Sequence, residues 1–281
     1  MTFKINARPS LKKFSIDGFL LDAVDISWYH LVVLVLRRTT INGVLKVLRN
    51  APLLEKCSLS RIWPPIDDLP IPKTMITLPY LQRLEVSWIK EIKVFYDLID
   101  SLELPSLEVW RITVVESWVL DNMISLLERS GCSLRSLYIW QDTAPAVEDF
   151  ERLFQAVPRL RHLEIDSPLY ASSAPVVDYV LKSLSASPQY PTLQTDVTTG
   201  FLSGLQSLKL CGRELYAWAF IPLIYRWPYR KLLDLHIKME TVTIGREVSS
   251  KLAQLVDQGI KLRISFPGGD YIQKLRKSTG T

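Results

Sequence analysis

One pattern constrains this chain more than any other: apolar-x-x-apolar-x-apolar, repeated nine times. It falls on Leu11/Phe14/Ile16, Leu31/Leu34/Leu36, Leu54/Cys57/Leu59, Leu81/Leu84/Val86 and Leu107/Trp110/Ile112. It continues at Leu134/Leu137/Ile139, Leu160/Leu163/Ile165, Leu205/Leu208/Leu210 and Leu232/Leu235/Ile237. Successive first positions lie 20 to 27 residues apart, except for a step of 45 between Leu160 and Leu205. A near-constant period of this length marks a repeat architecture, in which each unit covers its neighbour's apolar face. The long step is read as an insertion at about residues 166–201. Within it, SASPQYPTLQTDVTTG (185 to 200) reads as a long loop, because prolines and hydroxylated residues replace any apolar period.

Each unit changes period along its length. The second half of the phrase alternates apolar and polar residues, as a short strand with one buried face must. Upstream, apolar residues return at helical spacing, as in Leu98, Ile99 and Leu102, or Val147, Phe150, Leu153, Phe154 and Val157. A proline stands two residues before the first leucine at Pro9, Pro52, Pro79, Pro105 and Pro158. There it stops the helix and is expected to bias its neighbour toward extended geometry. Strand and helix then alternate, and parallel strands joined by helical crossovers predict an α/β solenoid. The expected form is a right-handed horseshoe with a parallel inner sheet and outer helices over residues 1–268, followed by a C-terminal tail at 269–281.

With the apolar positions turned inward, the residues between them form the expected open face. On that face Lys13, Arg37, Lys56, Arg83 and Arg111 outnumber Asp17 and Glu85 in the first five strands, and the bias fades afterwards. Tyr138 and Trp140 follow Arg111 and precede His162 and Glu164. Tryptophan, tyrosine and arginine dominate interface hot spots because each joins a large buried area to directional polar contact. The predicted partner-binding residues are therefore Arg83, Arg111, Tyr138, Trp140, His162 and Glu164. A nucleic-acid partner on the cationic N-terminal half is the alternative, although such a track should stay positive along its length.

Composition and motifs narrow the chemistry. The net charge of +5 and pI near 9.0 come from 34 Lys+Arg against 29 Asp+Glu, a small surplus with no dense basic block. Cys57, Cys132 and Cys211 lack paired spacing, which fits a reduced compartment, cytoplasmic or nuclear. Cys57 replaces a core leucine, and Cys211 is expected on the open face. The N-terminal stretch MTFKINARPSLKKF lacks a signal-peptide core, and runs such as LVVLVL are far shorter than the roughly 20 apolar residues of a membrane span. No glycine-rich phosphate loop, zinc-protease helix or nucleophile elbow occurs. His162 and Glu164 could relay a proton under a loop at 185–200, but on a repeat surface they read as a solvated pair. No enzyme activity, metal or cofactor is expected, and FPGGDYIQKLRKST (266 to 279) reads as a turn and a basic tail.

The proline-ended helix followed by L-x-x-L-x-L, with the aromatic style of LEVSWIKE, LYIWQDT and LEIDSPLY, resembles the leucine-rich-repeat region of fungal, mushroom-type F-box proteins. The resemblance covers roughly residues 9 to 265. It implies a non-enzymatic protein-interaction module, the substrate-recognition region of an F-box-type ubiquitin-ligase receptor that holds a protein substrate on its concave face. An F-box would open with an LPxE-like segment, and none precedes Leu11. The expectation is thus a truncated reading frame, or a chain that binds partners without recruiting a ligase. A Skp-type adaptor is a partner only where an F-box precedes this chain.

Overall fold

The helix-ending prolines sit in a recurring turn. The amide of the first core leucine donates to the carbonyl three residues earlier: Leu54 to Ala51, Leu81 to Leu78, Leu107 to Leu104 and Leu160 to Val157. Pro52, Pro79, Pro105 and Pro158 each occupy the second position of that turn, where a fixed φ is already correct and no amide is needed. The proline therefore also closes a turn. Pro9 lies outside the described residues. Immediately after each turn, one carbonyl accepts from two successive amides of the next strand. Val32 serves Glu55 and Lys56, Glu55 serves Gln82 and Arg83, Gln82 serves Glu108 and Val109, and Arg135 serves Arg161 and His162. The same local geometry thus recurs wherever the sequence phrase recurs.

The computed structural model describes residues 11–18, 21, 26–65, 74–89, 91–114, 120–141, 147–167, 174–186 and 200–279. The fold is mixed α/β, mostly parallel in its strands, and the chain divides into two compact units, Met1–Leu134 and Arg135–Thr281.

The first unit contains β1 (Lys13–Asp17), β2 (Val33–Arg37), α1 (Ile41–Arg49), β3 (Lys56–Ser60), β4 (Ile76–Thr77), β5 (Arg83–Ile89), α2 (Ile92–Asp100), β6 (Leu102–Glu103), β7 (Val109–Val114) and α3 (Leu120–Ser130). Its sheet runs β1-β2-β3-β5-β7, all parallel, and β4 pairs separately with β6. The register places Phe14, Leu34, Cys57, Leu84 and Trp110 in one row and Ile16, Leu36, Leu59, Val86 and Ile112 in the next. From Leu34 onward every member of both rows is buried, whereas Phe14 and Ile16 are half-buried. Each fully buried side chain of this size contributes about 1.5–3 kcal/mol relative to exposure. α1 starts where Thr40 accepts from the Gly43 amide at 3.3 Å, a cap of about 1 kcal/mol. α3 is tied to α2 and β6 by Arg129, whose guanidinium donates to the carbonyls of Ile99 in α2 and Leu102 in β6.

One backbone feature repeats without a sequence signal. β2, β3 and β5 reach the same register position with Arg38, Arg61 and Trp88, at φ of 53°, 54° and 57°. Left-handed backbone costs a non-glycine residue roughly 1–2 kcal/mol. At Trp88 it forms a bulge, since pairing passes from Ser87/Thr113 to Ile89/Val114. The kink breaks the strand alternation, so Thr39 and Ile62 turn into the core directly after the exposed Arg38 and Arg61.

The second unit contains β8 (Ser136–Gln141), α4 (Val147–Ala156), β9 (His162–Asp166), α5 (Ala174–Ser185), β10 (Ser207–Gly212), α6 (Ile221–Ile224), β11 (Asp234–Met239), α7 (Arg246–Asp257), β12 (Leu262–Phe266), β13 (Gly269–Asp270) and α8 (Tyr271–Thr279). Short 3-10 turns at Ala217–Phe220 and Pro228–Arg230 flank α6. Strands β8 to β12 are parallel neighbours in chain order, and β13 pairs antiparallel on β12. Leu137, Leu163, Leu208, Leu235 and Leu262 align, as do Ile139, Ile165, Leu210, Ile237 and Ile264, and all ten are buried.

Two sequence expectations change here. The insertion at 166–201 contains α5, and residues 187–199 of the expected loop lie outside the described residues. Leu232 is 85% exposed, because the 3-10 turn at Pro228–Arg230 shifts the inward position by one residue, to Leu233. The expected tail forms β13 and α8 after a further parallel strand, β12, which the apolar phrase misses because its first position falls on the exposed Gly259.

Candidate protein-binding face

Parallel sheets are ordinarily covered on both faces, and their strands then read as continuous apolar runs. Most of these strands do not, although β2 is apolar at four of its five positions. β9 alternates half-buried and buried residues from His162 to Asp166, β2 and β5 do the same, and the partly accessible positions are those predicted from sequence. One face of the sheet is core and the other remains accessible.

In the first unit, Arg83 stands on β5 opposite Lys56, and Arg111 on β7 opposite Glu85. Arg37 has Asp17 as its register neighbour, and Arg38 forms an ion pair with Asp17. The cationic bias is therefore partly answered within the sheet, and the row of Lys13, Lys56 and Arg83 is its least compensated part.

In the second unit the sheet brings together four predicted residues. Tyr138 on β8 faces Glu164 on β9, which faces Lys209 on β10, then His236 on β11 and Arg263 on β12. The adjacent row is Trp140, Asp166, Cys211, Lys238 and Ser265, and His162 lies one step back between Ser136 and Ser207. Lys209 Nζ donates to Glu164 at 2.6 Å, and Arg263 donates to Asp234 at 3.2 Å. His236 Nε2 and the Ser265 hydroxyl share a 3.1 Å hydrogen bond. The Lys209 ammonium is held above its ordinary pKa by the Glu164 hydrogen bond, whereas burial raises the Asp166 carboxyl. Burial, then the cations Arg263 and Lys209, lower His236. This face offers alternating charge flanked by two aromatics, suited to directional contact with a polar protein surface. The carboxylate of Glu164 is engaged by Lys209, a pairing across 45 residues of sequence that spacing alone could not reveal. Arg263 has no signal in the sequence because its strand lies beyond the apolar phrase.

Cys211 departs from expectation. It follows the alternation in sequence, yet it is buried, and burial with the Asp166 charge pushes its thiol to about 11. Cys57 behaves as the small hydrophobe expected, its thiol pushed to about 12 by burial alone. Thiolate is the reactive form, so both should resist iodoacetamide at neutral pH in the native protein and react fully once it is denatured. Mass mapping of labelled peptides checks this, and native labelling of Cys57 at the rate of a free thiol would contradict the burial. Among the described residues no three His, Cys, Asp or Glu side chains are grouped to hold a metal ion, and no helix is long and apolar enough to cross a membrane. Comparison with protein-family models and comparison with curated proteins each find no match.

Proposed function

We propose that this chain is a non-enzymatic protein-binding module, built as a leucine-rich-repeat solenoid whose open sheet face receives a protein partner. Its role in this reading is substrate recognition for an F-box-type ubiquitin ligase, in the cytoplasm or nucleus. The observation that carries the reading is the one-sided parallel ladder in each unit: β1-β2-β3-β5-β7 in the first and β8 to β12 in the second turn one face to the core and leave most alternate residues of the other accessible, and nine of these strands carry the leucine phrase. An uncovered sheet of this kind costs stability unless it is used, because a second layer of helices would bury more apolar area. Tyr138 and Trp140 supply hot-spot side chains, and Glu164, Lys209, His236 and Arg263 supply directional polar groups in register beside them.

Quantitative pull-down from the source cell, read by mass spectrometry, tests it. Replacing Tyr138 and Trp140 together with alanine should reduce recovery of the specific partner by roughly a hundredfold, about 2.8 kcal/mol, while the variant remains folded by circular dichroism. Equal recovery removes the assignment of this face. The ligase role has its own readout: a chain extended by its upstream coding sequence should co-purify a Skp-type adaptor. The row of Lys13, Lys56 and Arg83 favours a second reading, nucleic-acid binding. It requires affinity for an oligonucleotide that falls steeply with salt and weakens in Arg83→Ala and Arg111→Ala.

A further inference from the structure

The three kinked positions at the ends of β2, β3 and β5 raise a question that folding does not answer. The backbone must turn there so that Thr39 and Ile62 enter the core, and a left-handed residue achieves this. Glycine does it at no steric cost, and β1 carries a glycine, Gly18 with a different positive φ of 148°, at the equivalent position. The next three strands instead carry Arg38, Arg61 and Trp88, the bulkiest choices available for a strained conformation. Strain kept where a cheaper residue would serve points from the outlier to a use for the side chain.

The side chains share a chemistry. Arg37, Arg38 and Arg61 are exposed, and Trp88 is 49% exposed. Neighbouring strands are roughly 4.8 Å apart, so the three kinked positions occupy about 10 Å of one rim of the first unit's sheet. Asp17 is the acid at these register positions and is paired with Arg38. The register neighbours of Arg61 are Arg37 and Arg38 on one side and Ser87 and Trp88 on the other, with no carboxylate among them. Guanidinium groups bind carboxylates through two parallel hydrogen bonds, and a tryptophan face beside them accepts an apolar side chain.

We propose that this rim docks a carboxylate-rich segment of a partner protein, two or three Asp or Glu residues with an apolar residue that covers Trp88. The proposal rests on reading the open sheet face as a protein-docking surface, and it names the partner's charge. An extended segment advances about 3.3 Å per residue, so acids two or three residues apart match the rim.

The test is fluorescence anisotropy of the whole chain with a short fluorescein-labelled peptide of glutamates interrupted by leucines, alongside its lysine counterpart. The glutamate peptide should bind and the lysine peptide should not. Arg37→Glu with Arg61→Glu should weaken binding at least tenfold, whereas Lys46→Glu with Lys93→Glu, an equal charge change on helices α1 and α2, should leave it within twofold. Arg61→Gly and Trp88→Gly give the sharper result. Arg61→Gly should melt no lower than the parent, because the backbone strain is relieved, and both variants should lose peptide affinity severalfold. Undiminished binding in the glycine variants would overturn the proposal, as would equal losses in the rim and helix variants. Displacement of the peptide by an oligothymidylate at equal concentration would assign the rim to polyanions at large and overturn it too. Partner capture that depends on Tyr138 and Trp140 but survives the rim variants would sink the rim alone. Peptide binding without such capture would sink the face alone.

Discussion

Replacing Trp110 with alanine should destabilise the first unit by about 3–5 kcal/mol, the largest effect expected from any single core change. Trp110 is 0% exposed, the largest fully buried side chain, and stands in register with Leu84. Removing its ring leaves a cavity between strands whose leucines are held by the sheet and cannot close over it. The phenylalanine variant separates two contributions. The indole Nε1 is buried and finds no acceptor among the described residues, a state that itself costs free energy. Trp110→Phe removes that unpaired donor while keeping most of the volume, so its loss should be on the order of 1 kcal/mol. Denaturant titration, with hydrogen exchange at β5 and β7 to localise the effect, measures both. Equal losses for alanine and phenylalanine would show that the ring's volume is not what holds this layer.

Arg230→Ala should destabilise the second unit by about 2–4 kcal/mol through a different cause. Arg230 is 1% exposed, yet it is a cation, and burial lowers its pKa. It donates to the Leu202 carbonyl at 2.7 Å and to the Phe201 carbonyl, and its guanidinium lies 5.0 Å from the Tyr229 ring centre. These carbonyls belong to the turn that leads into β10, where Leu202 has φ of 44°. Taking the donor away strips the Phe201 carbonyl and leaves the Leu202 carbonyl with the Leu205 amide alone. Arg230→Met preserves much of the packing but none of the donors, so it should recover less than half of the loss. Arg230→Lys can satisfy one carbonyl and should fall between. A methionine variant as stable as the parent would mean that the carbonyls are not what the guanidinium is for.

The parts of the fold that were legible share a cause. Where a buried leucine alternates with a polar neighbour, period and spacing identify the strand, and the inward rows from Leu34 to Ile237 follow from that rule. Legibility fails where two residues compete for one position, or where geometry comes from φ. Leu232 and Leu233 are equally apolar, and a 3-10 turn decides between them. Gly259 hides β12 because the phrase demands an apolar residue there. Arginine and tryptophan carry no signal for left-handed backbone, so Arg38, Arg61 and Trp88 look like ordinary surface residues. At the candidate face, Tyr138, Trp140, His162 and Glu164 were readable by alternation, whereas the Lys209 to Glu164 pair needs the register of β9 on β10 to become visible. Cys211 obeys the alternation and is buried all the same.

β9 and β10 keep the same residue-for-residue pairing as β8 and β9, although far more chain connects them. Ladder registry is thus uncoupled from linker length, because closing a longer loop costs only slowly rising entropy. The rungs between His162–Asp166 and Ser207–Cys211 are accordingly a property of the strands themselves, and the span from Asp166 to Ser207 does not dictate them.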